Sequence, residues 1–197
     1  MKSVLREILD AVVLSLFVFF LIQTSIQNFK VAGASMYPTL ESGQYLLVNK
    51  LAYVNLDLAR LSKLVPIWRG PPIKDNEKVR SPARGEIIVF RFPDPNPENR
   101  KRDFVKRVVA IPGDKVEIIE GVVWVNGKPT DERYLQYRDT FNMGEFRLKA
   151  ADYFVLGDNR TGSNDSRAWG PVPKENILGR VDRKSTRLNS SHTVISY

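Results

Sequence analysis

From residue 8 to residue 26 the chain reads ILDAVVLSLFVFFLIQTSI, an apolar run with Asp10 and Gln23 near its two ends. At ~1.5 Å per residue a helix of this length reaches roughly 28 Å, about the hydrocarbon thickness of a bilayer. Polar groups cost least near the ends of such a span. Lys2 and Arg6 precede it. The pattern therefore predicts a transmembrane anchor over residues 1–28, with a cytoplasmic N-terminus and an exported body. The competing reading is a cleaved export signal, for which Ala32-Gly33-Ala34 offers a small-x-small site. That site lies about ten positions beyond Ile22, further than such cleavage sites usually sit, which favours a retained anchor.

From Phe29 onward the period shortens to two. Tyr45 to Val48, Glu86 to Phe92, Asp103 to Ile111, Lys115 to Ile119, Val122 to Val125 and Ala151 to Leu156 all read as strands. Pro93, Pro112-Gly113 and Gly157-Asp158 stop three of them. Glu120-Gly121 and Asn126-Gly127 are turns of the type that needs positive φ. The expectation is a mainly β body over residues 29–181, built on an antiparallel sheet. Two stretches rich in proline and mixed charge, about 57–83 and 93–102, read as surface insertions.

Residues 182–197 break the pattern. They have neither strand spacing nor a helix cap, and they resemble translated sequencing-adapter DNA, so they are left out of the fold reading. The alternative is a disordered natural tail. The choice matters because the single histidine, His192, lies there. Without the tail the net charge falls from +8 to +6 and no histidine remains. Cysteine is absent throughout, which excludes disulfides, thiolate metal sites and a cysteine nucleophile. The basic balance suits anionic lipid or a solvated cationic face, and no nucleic-acid motif is present.

Three stretches carry possible chemistry. Gly33-Ala34-Ser35-Met36-Tyr37-Pro38-Thr39-Leu40 sets one serine among small residues, where a substrate backbone could approach; a plain turn is the bland alternative. A serine nucleophile needs a base. With no histidine in the body, the familiar remaining solution is a lysine whose pKa is lowered by burial. Lys106 fits. Alternation puts Phe104, Lys106 and Val108 on one strand face, and Val105, Arg107 and Val109 on the other. Its bland alternative is a snorkelling strand lysine. The third stretch, residues 157–173, is dense in glycine and hydrogen-bonding side chains around Trp169, which suits a loop fixed by its own polar network.

These stretches, with Arg84-Gly85-Glu86-Ile87-Ile88-Val89-Phe90 and the Pro112-Gly113-Asp114 that follows Lys106-Arg107-Val108-Val109, resemble the successive boxes of bacterial type I signal peptidases, in the same order and after an N-terminal anchor. The resemblance runs from residue 1 to about Val181. It implies a membrane-bound serine endopeptidase of the bacterial cell membrane, single-pass, with its catalytic domain on the extracytoplasmic side. Its partners would be secretory precursors and the lipid bilayer, and it would need no metal or organic cofactor. Ser35 would be the nucleophile, with its backbone N–H in the oxyanion hole, and Lys106 the general base. Ser163 would hydrogen-bond and orient the lysine amine. Asp158 would pair with Arg107, and Asp165 with Arg167. Some members carry a hydroxyl two residues before the nucleophile; here that position is Gly33, which leaves the second oxyanion donor open. Val31, Gly33, Met36, Leu40, Phe104 and Val105 would line the substrate subsites and admit small side chains at −1 and −3. Two other readings remain at this stage: a non-catalytic membrane-tethered β scaffold, and a self-cleaving Ser-Lys protease of the repressor type.

Overall fold

The structure, a computed structural model, describes residues 2–53, 80–93, 102–185 and 193–195. The expected insertions at about 57–83 and 93–102 lie largely outside these residues.

The chain opens with helix α1 (Lys2–Ser25), continuing directly into strand β1 (Ile26–Val31). Every exposed large hydrophobic between Ile8 and Phe20 shows 45–62% of its surface, so this stretch of α1 does not pack into the body. Among the described residues no helix is long and apolar enough to cross a membrane.

The body is mainly β. Strands β2 (Tyr45–Asn49), β3 (Ile87–Arg91), β4 (Asp103–Ala110), β5 (Lys115–Ile119), β6 (Val122–Val125), β7 (Lys128–Pro129), β8 (Met143–Arg147), β9 (Asp152–Leu156), β10 (Val172–Pro173), β11 (Ile177–Ser185) and β12 (Thr193–Ile195) follow in chain order. They form two sheets, ordered β10-β9-β4-β3-β11-β2-β1-β12 and β7-β6-β5-β8. All pairings are antiparallel except β1 with β12. The six strands expected from period-two patterning are present with ends within a residue or so. The two tight turns take the expected left-handed backbone at Glu120 (φ 48°) and Asn126 (φ 54°), each followed by a positive-φ glycine.

Three further strands had weaker patterns. β8 contains Gly144, Glu145 and Arg147 and is largely exposed at the edge of the small sheet. β11 runs through Arg183 to Ser185 against Leu47, Leu46 and Tyr45, and β12 lies along Phe29 to Val31. Both therefore enter residues 182–197, which the sequence reading left without strand structure. Ladder hydrogen bonds use backbone groups that every non-proline residue carries, so strand pairing does not require apolar spacing.

Three apolar clusters hold the body together. One joins β1, β2 and the Ser35 segment through Phe29, Val31, Met36, Leu40, Leu46 and Val48, with Val89 and Val105. A second packs the small sheet against Ala110, Phe154 and Leu156. The third lies around Ile88, Phe90, Phe104, Val108, Tyr153 and Val155, with Trp169 packed on it. Strand β4 contributes to all three, which makes it the element best placed to hold a side chain fixed.

Candidate active site

Ser35 sits on the short connection between β1 and β2. Met36 and Leu40, each 1% exposed, pin this connection into the first cluster. Its own backbone bonds, Tyr37 N–H to Ala34 O at 3.1 Å and Leu40 N–H to Met36 O at 2.9 Å, curl it into successive turns. Gly33 takes φ 101°, a conformation that suits glycine.

Lys106 lies in the middle of β4, opposite Ile88 of β3. It is 0% exposed, and Ser35 is 7% exposed. Lys106 Nζ and Ser35 Oγ are hydrogen-bonded at 2.7 Å across 71 positions of sequence. The amine is 5.5 Å from the centre of the Phe104 ring, on the strand face that alternation predicts. The snorkelling alternative is thus absent from this structure. Burial lowers the Lys106 pKa from its ordinary 10.5 to about 8, against the opposing pull of the Asp165 and Asp158 carboxylates; Arg167 adds to the lowering. The two groups form a base and a hydroxyl in contact. A neutral amine would accept the Ser35 proton; a charged one donates to its oxygen.

The polar loop after β9 surrounds this pair. Asp158 grips Arg107 bidentately at 2.6 and 2.8 Å, and the Arg107 guanidinium stacks 4.0 Å from the Tyr134 ring centre. Asp165 grips Arg167 at 2.8 Å through two oxygens and accepts the Gly157 N–H at 3.0 Å. Both pairs named in the sequence reading are therefore formed. The Ser163 hydroxyl is buried with no hydrogen-bond partner, so the bond to the lysine amine implied by the resemblance is not made here. It does lie beside the site: a Cβ built on Gly157 would collide with the Ser163 side chain and fall 2.5 Å from Ser35 O. Val31, Met36, Leu40 and Val105 are 1–4% exposed within one cluster, and Phe104 is 6% exposed. These side chains act first as packing, with little open surface.

Several groups to which the sequence reading gave no role of their own also hold the site. Arg160, almost fully buried, pairs with Glu132 at 2.6 Å and donates to Gly157 O at 3.1 Å. Asp139 also binds Arg167. Asp114 gathers Arg84, Asn126 and the Ile111 N–H onto one carboxylate; burial raises its pKa, but these bonds hold it below the ordinary value. Asn159 binds the backbone on both sides of the Ala34–Ser35 junction. Among the described residues no cluster of His, Cys, Asp or Glu is arranged to hold a metal.

A family profile described as signal peptidase, peptidase S26, matches residues 4–185. A protein named signal peptidase I from Bacillus caldolyticus is 38% identical over 169 residues, covering 79% of this chain and 76% of that one. A probable signal peptidase I-2 from Synechocystis sp. is 35% identical over 152 residues, 77% of this chain; the match spans 59% of that protein's length. A crystal structure of a signal peptidase I from Enterococcus faecalis aligns over 53% of this chain and 99% of its own, at 30% identity and a TM-score of 0.42.

Proposed function

We propose, since this chain belongs to the peptidase S26 family of signal peptidases, that it removes N-terminal signal peptides from exported precursors by a Ser-Lys mechanism. The observation that carries this reading is the buried 2.7 Å contact between Lys106 Nζ and Ser35 Oγ. With a pKa of about 8, roughly a tenth of the amine is neutral at pH 7; a hydrated lysine near 10.4 would be neutral only a few parts in ten thousand.

Neutral Lys106 takes the hydroxyl proton as Ser35 Oγ attacks the scissile carbonyl carbon. The Ser35 N–H receives the developing oxyanion. Collapse breaks the C–N bond, and the leaving amine takes the proton from Lys106. Lys106, neutral again, deprotonates a water that attacks the acyl-enzyme ester. The signal peptide leaves as a carboxylate, and Ser35 regains its proton.

Ser163, with its hydroxyl buried and unpartnered beside the dyad, is the group assigned to orient the amine. Asp158–Arg107 and Asp165–Arg167 hold the loop that carries it. The resemblance of Val31, Gly33, Met36, Leu40, Phe104 and Val105 to subsite positions supports a preference for small residues at −1 and −3. The apolar run at residues 8–26 supports a single-pass anchor in the bacterial cell membrane, with the body outside. Ser35 lies nine positions after Ile26, at most about 30 Å of chain, which keeps the dyad near the outer leaflet where precursors present their cleavage sites. Residues 182–197 are assigned to an adapter-derived tail, which sequencing the source DNA across codon 182 tests.

Ser35→Ala and Lys106→Ala should each abolish cleavage of a precursor carrying a signal peptide, and rapid quenching should trap an acyl group on Ser35 in the parent protein. Wild-type cleavage by either variant overturns the reading.

A further inference from the structure

The Ser35 N–H donates no hydrogen bond among the described residues. A free donor helps catalysis only if it is aimed before the charge develops. What aims it is the orientation of the Ala34–Ser35 peptide. That bond is trans, and a planar trans peptide points its C=O and its N–H in opposite directions. Whatever holds the Ala34 oxygen therefore sets the direction of the Ser35 N–H.

Two donors reach the Ala34 oxygen. One is the Tyr37 N–H at 3.1 Å, within the same turn. The other is Asn159 Nδ2 at 3.2 Å, from a loop more than a hundred residues away in sequence. The Asn159 backbone N–H also donates to the Ser35 oxygen, at 2.9 Å. Asn159 thus holds the peptide planes on both sides of Ser35. Fixing both planes fixes the direction of the Ser35 Cα–Cβ bond as well as that of its N–H. The carboxamide is itself oriented: Oδ1 accepts from the Gly162 N–H and from Thr161 Oγ1, both at 3.2 Å. A flipped amide would turn its oxygen toward the Ala34 carbonyl and its NH2 toward the Gly162 N–H.

We propose that Asn159 is the positioning residue of the oxyanion site: its side-chain amide holds the Ala34–Ser35 peptide so that the Ser35 N–H points at the reacting carbonyl oxygen. This deepens the Ser35–Lys106 reading and rests on it. Asn159 touches no reacting atom. It acts through the backbone of the nucleophile, and its effect belongs to the transition state rather than to peptide binding.

Asn159 also caps the 3-10 turn at residues 160–162 through Oδ1, so the test must separate capping from positioning. Asn159→Ser keeps a capping oxygen, adds no charge and cannot span the gap to Ala34 O. Asn159→Asp keeps the cap and replaces the donor with an acceptor. Cleavage of a signal-peptide substrate by the full chain in detergent should lose about 10- to 100-fold in kcat for Asn159→Ser, and at least as much for Asn159→Asp. KM, the melting temperature and the apparent pKa of the pH–rate profile of Asn159→Ser should stay as in the parent. Affinity for a peptide aldehyde, which forms a tetrahedral adduct on Ser35, should fall by the same factor as kcat. Affinity for the unreactive product peptide should not change. The proposal is overturned if Asn159→Asp cleaves like the parent, since capping alone would then suffice. It is also overturned if kcat and product-peptide affinity fall together with the melting temperature. Failure of the Ser35 reading itself is seen separately, as cleavage that survives Ser35→Ala.

Discussion

Replacing Lys106 by methionine should abolish cleavage and make the protein more stable. Lys106 is fully buried, and its pKa of about 8 lies roughly 2.5 units below that of the free side chain. At ~1.4 kcal/mol per unit, burying the charged amine costs about 3 kcal/mol wherever both folded and unfolded states are protonated. Methionine fills a similar volume without charge. It leaves Ser35 Oγ without its partner, a loss of about 1 kcal/mol. The net gain is about 2 kcal/mol below pH 8, a rise of about 4–8 °C in melting temperature for a chain of this size. The gain fades as pH rises and, by the same figures, changes sign between about pH 9 and pH 10, where only the lost Ser35 hydrogen bond remains. Between pH 8 and about 10.4 the unfolded lysine holds a proton that the folded one has released, so wild-type stability climbs with pH through that window. The Asp165, Asp158 and Arg167 charges that face the amine are present in both proteins. The assay is thermal unfolding of both full chains in detergent, from pH 6 to pH 10. A variant less stable than the parent at pH 6.5, or a difference that does not shrink by pH 10, refutes the reasoning.

Other consequences follow from the polar loop and the proposed anchor. Gly157→Ala should cost roughly 1–3 kcal/mol in denaturant titration and lower kcat, because the new methyl would meet Ser163 and Ser35 O. Glu132→Ala should cost about 3–5 kcal/mol, since it strands the buried Arg160 guanidinium; a loss under 1 kcal/mol would show that water or Tyr134 replaces the carboxylate. Removing residues 1–25, which deletes helix α1 and leaves β1 whole, should leave cleavage of a short soluble peptide within a fewfold of the parent, while cleavage of a bilayer-embedded precursor falls at least tenfold; equal losses on both substrates would contradict the anchor.

The legible part of the fold is the part where side chains alternate. Residues 103–109 announce their strand and set Phe104, Lys106 and Val108 on one face, and the structure agrees through the Phe104–Lys106 contact. The same spacing cannot tell a buried lysine from a snorkelling one. That is settled by Ser35, which tertiary packing brings to it from 71 positions away. Glu132 sits in Asp131-Glu132-Arg133, which reads as solvated charge; only its pairing with Arg160 makes burial tolerable. Asn159 reads as one more polar loop residue until the carbonyls of Ala34 and Ser35 are seen against it. The weakest strands to read are those held by backbone pairing with little apolar pattern, as in β8 and the far end of β11.

A hydroxyl activated by a buried neutral amine makes the sharpest claim on pH. In the pH dependence of kcat/KM for signal-peptide cleavage, log rate should rise with unit slope and level off near pH 8, and Lys106→Ala should show no such limb. A rate still climbing toward pH 10, or a Lys106→Ala variant that keeps the wild-type profile, would contradict the account.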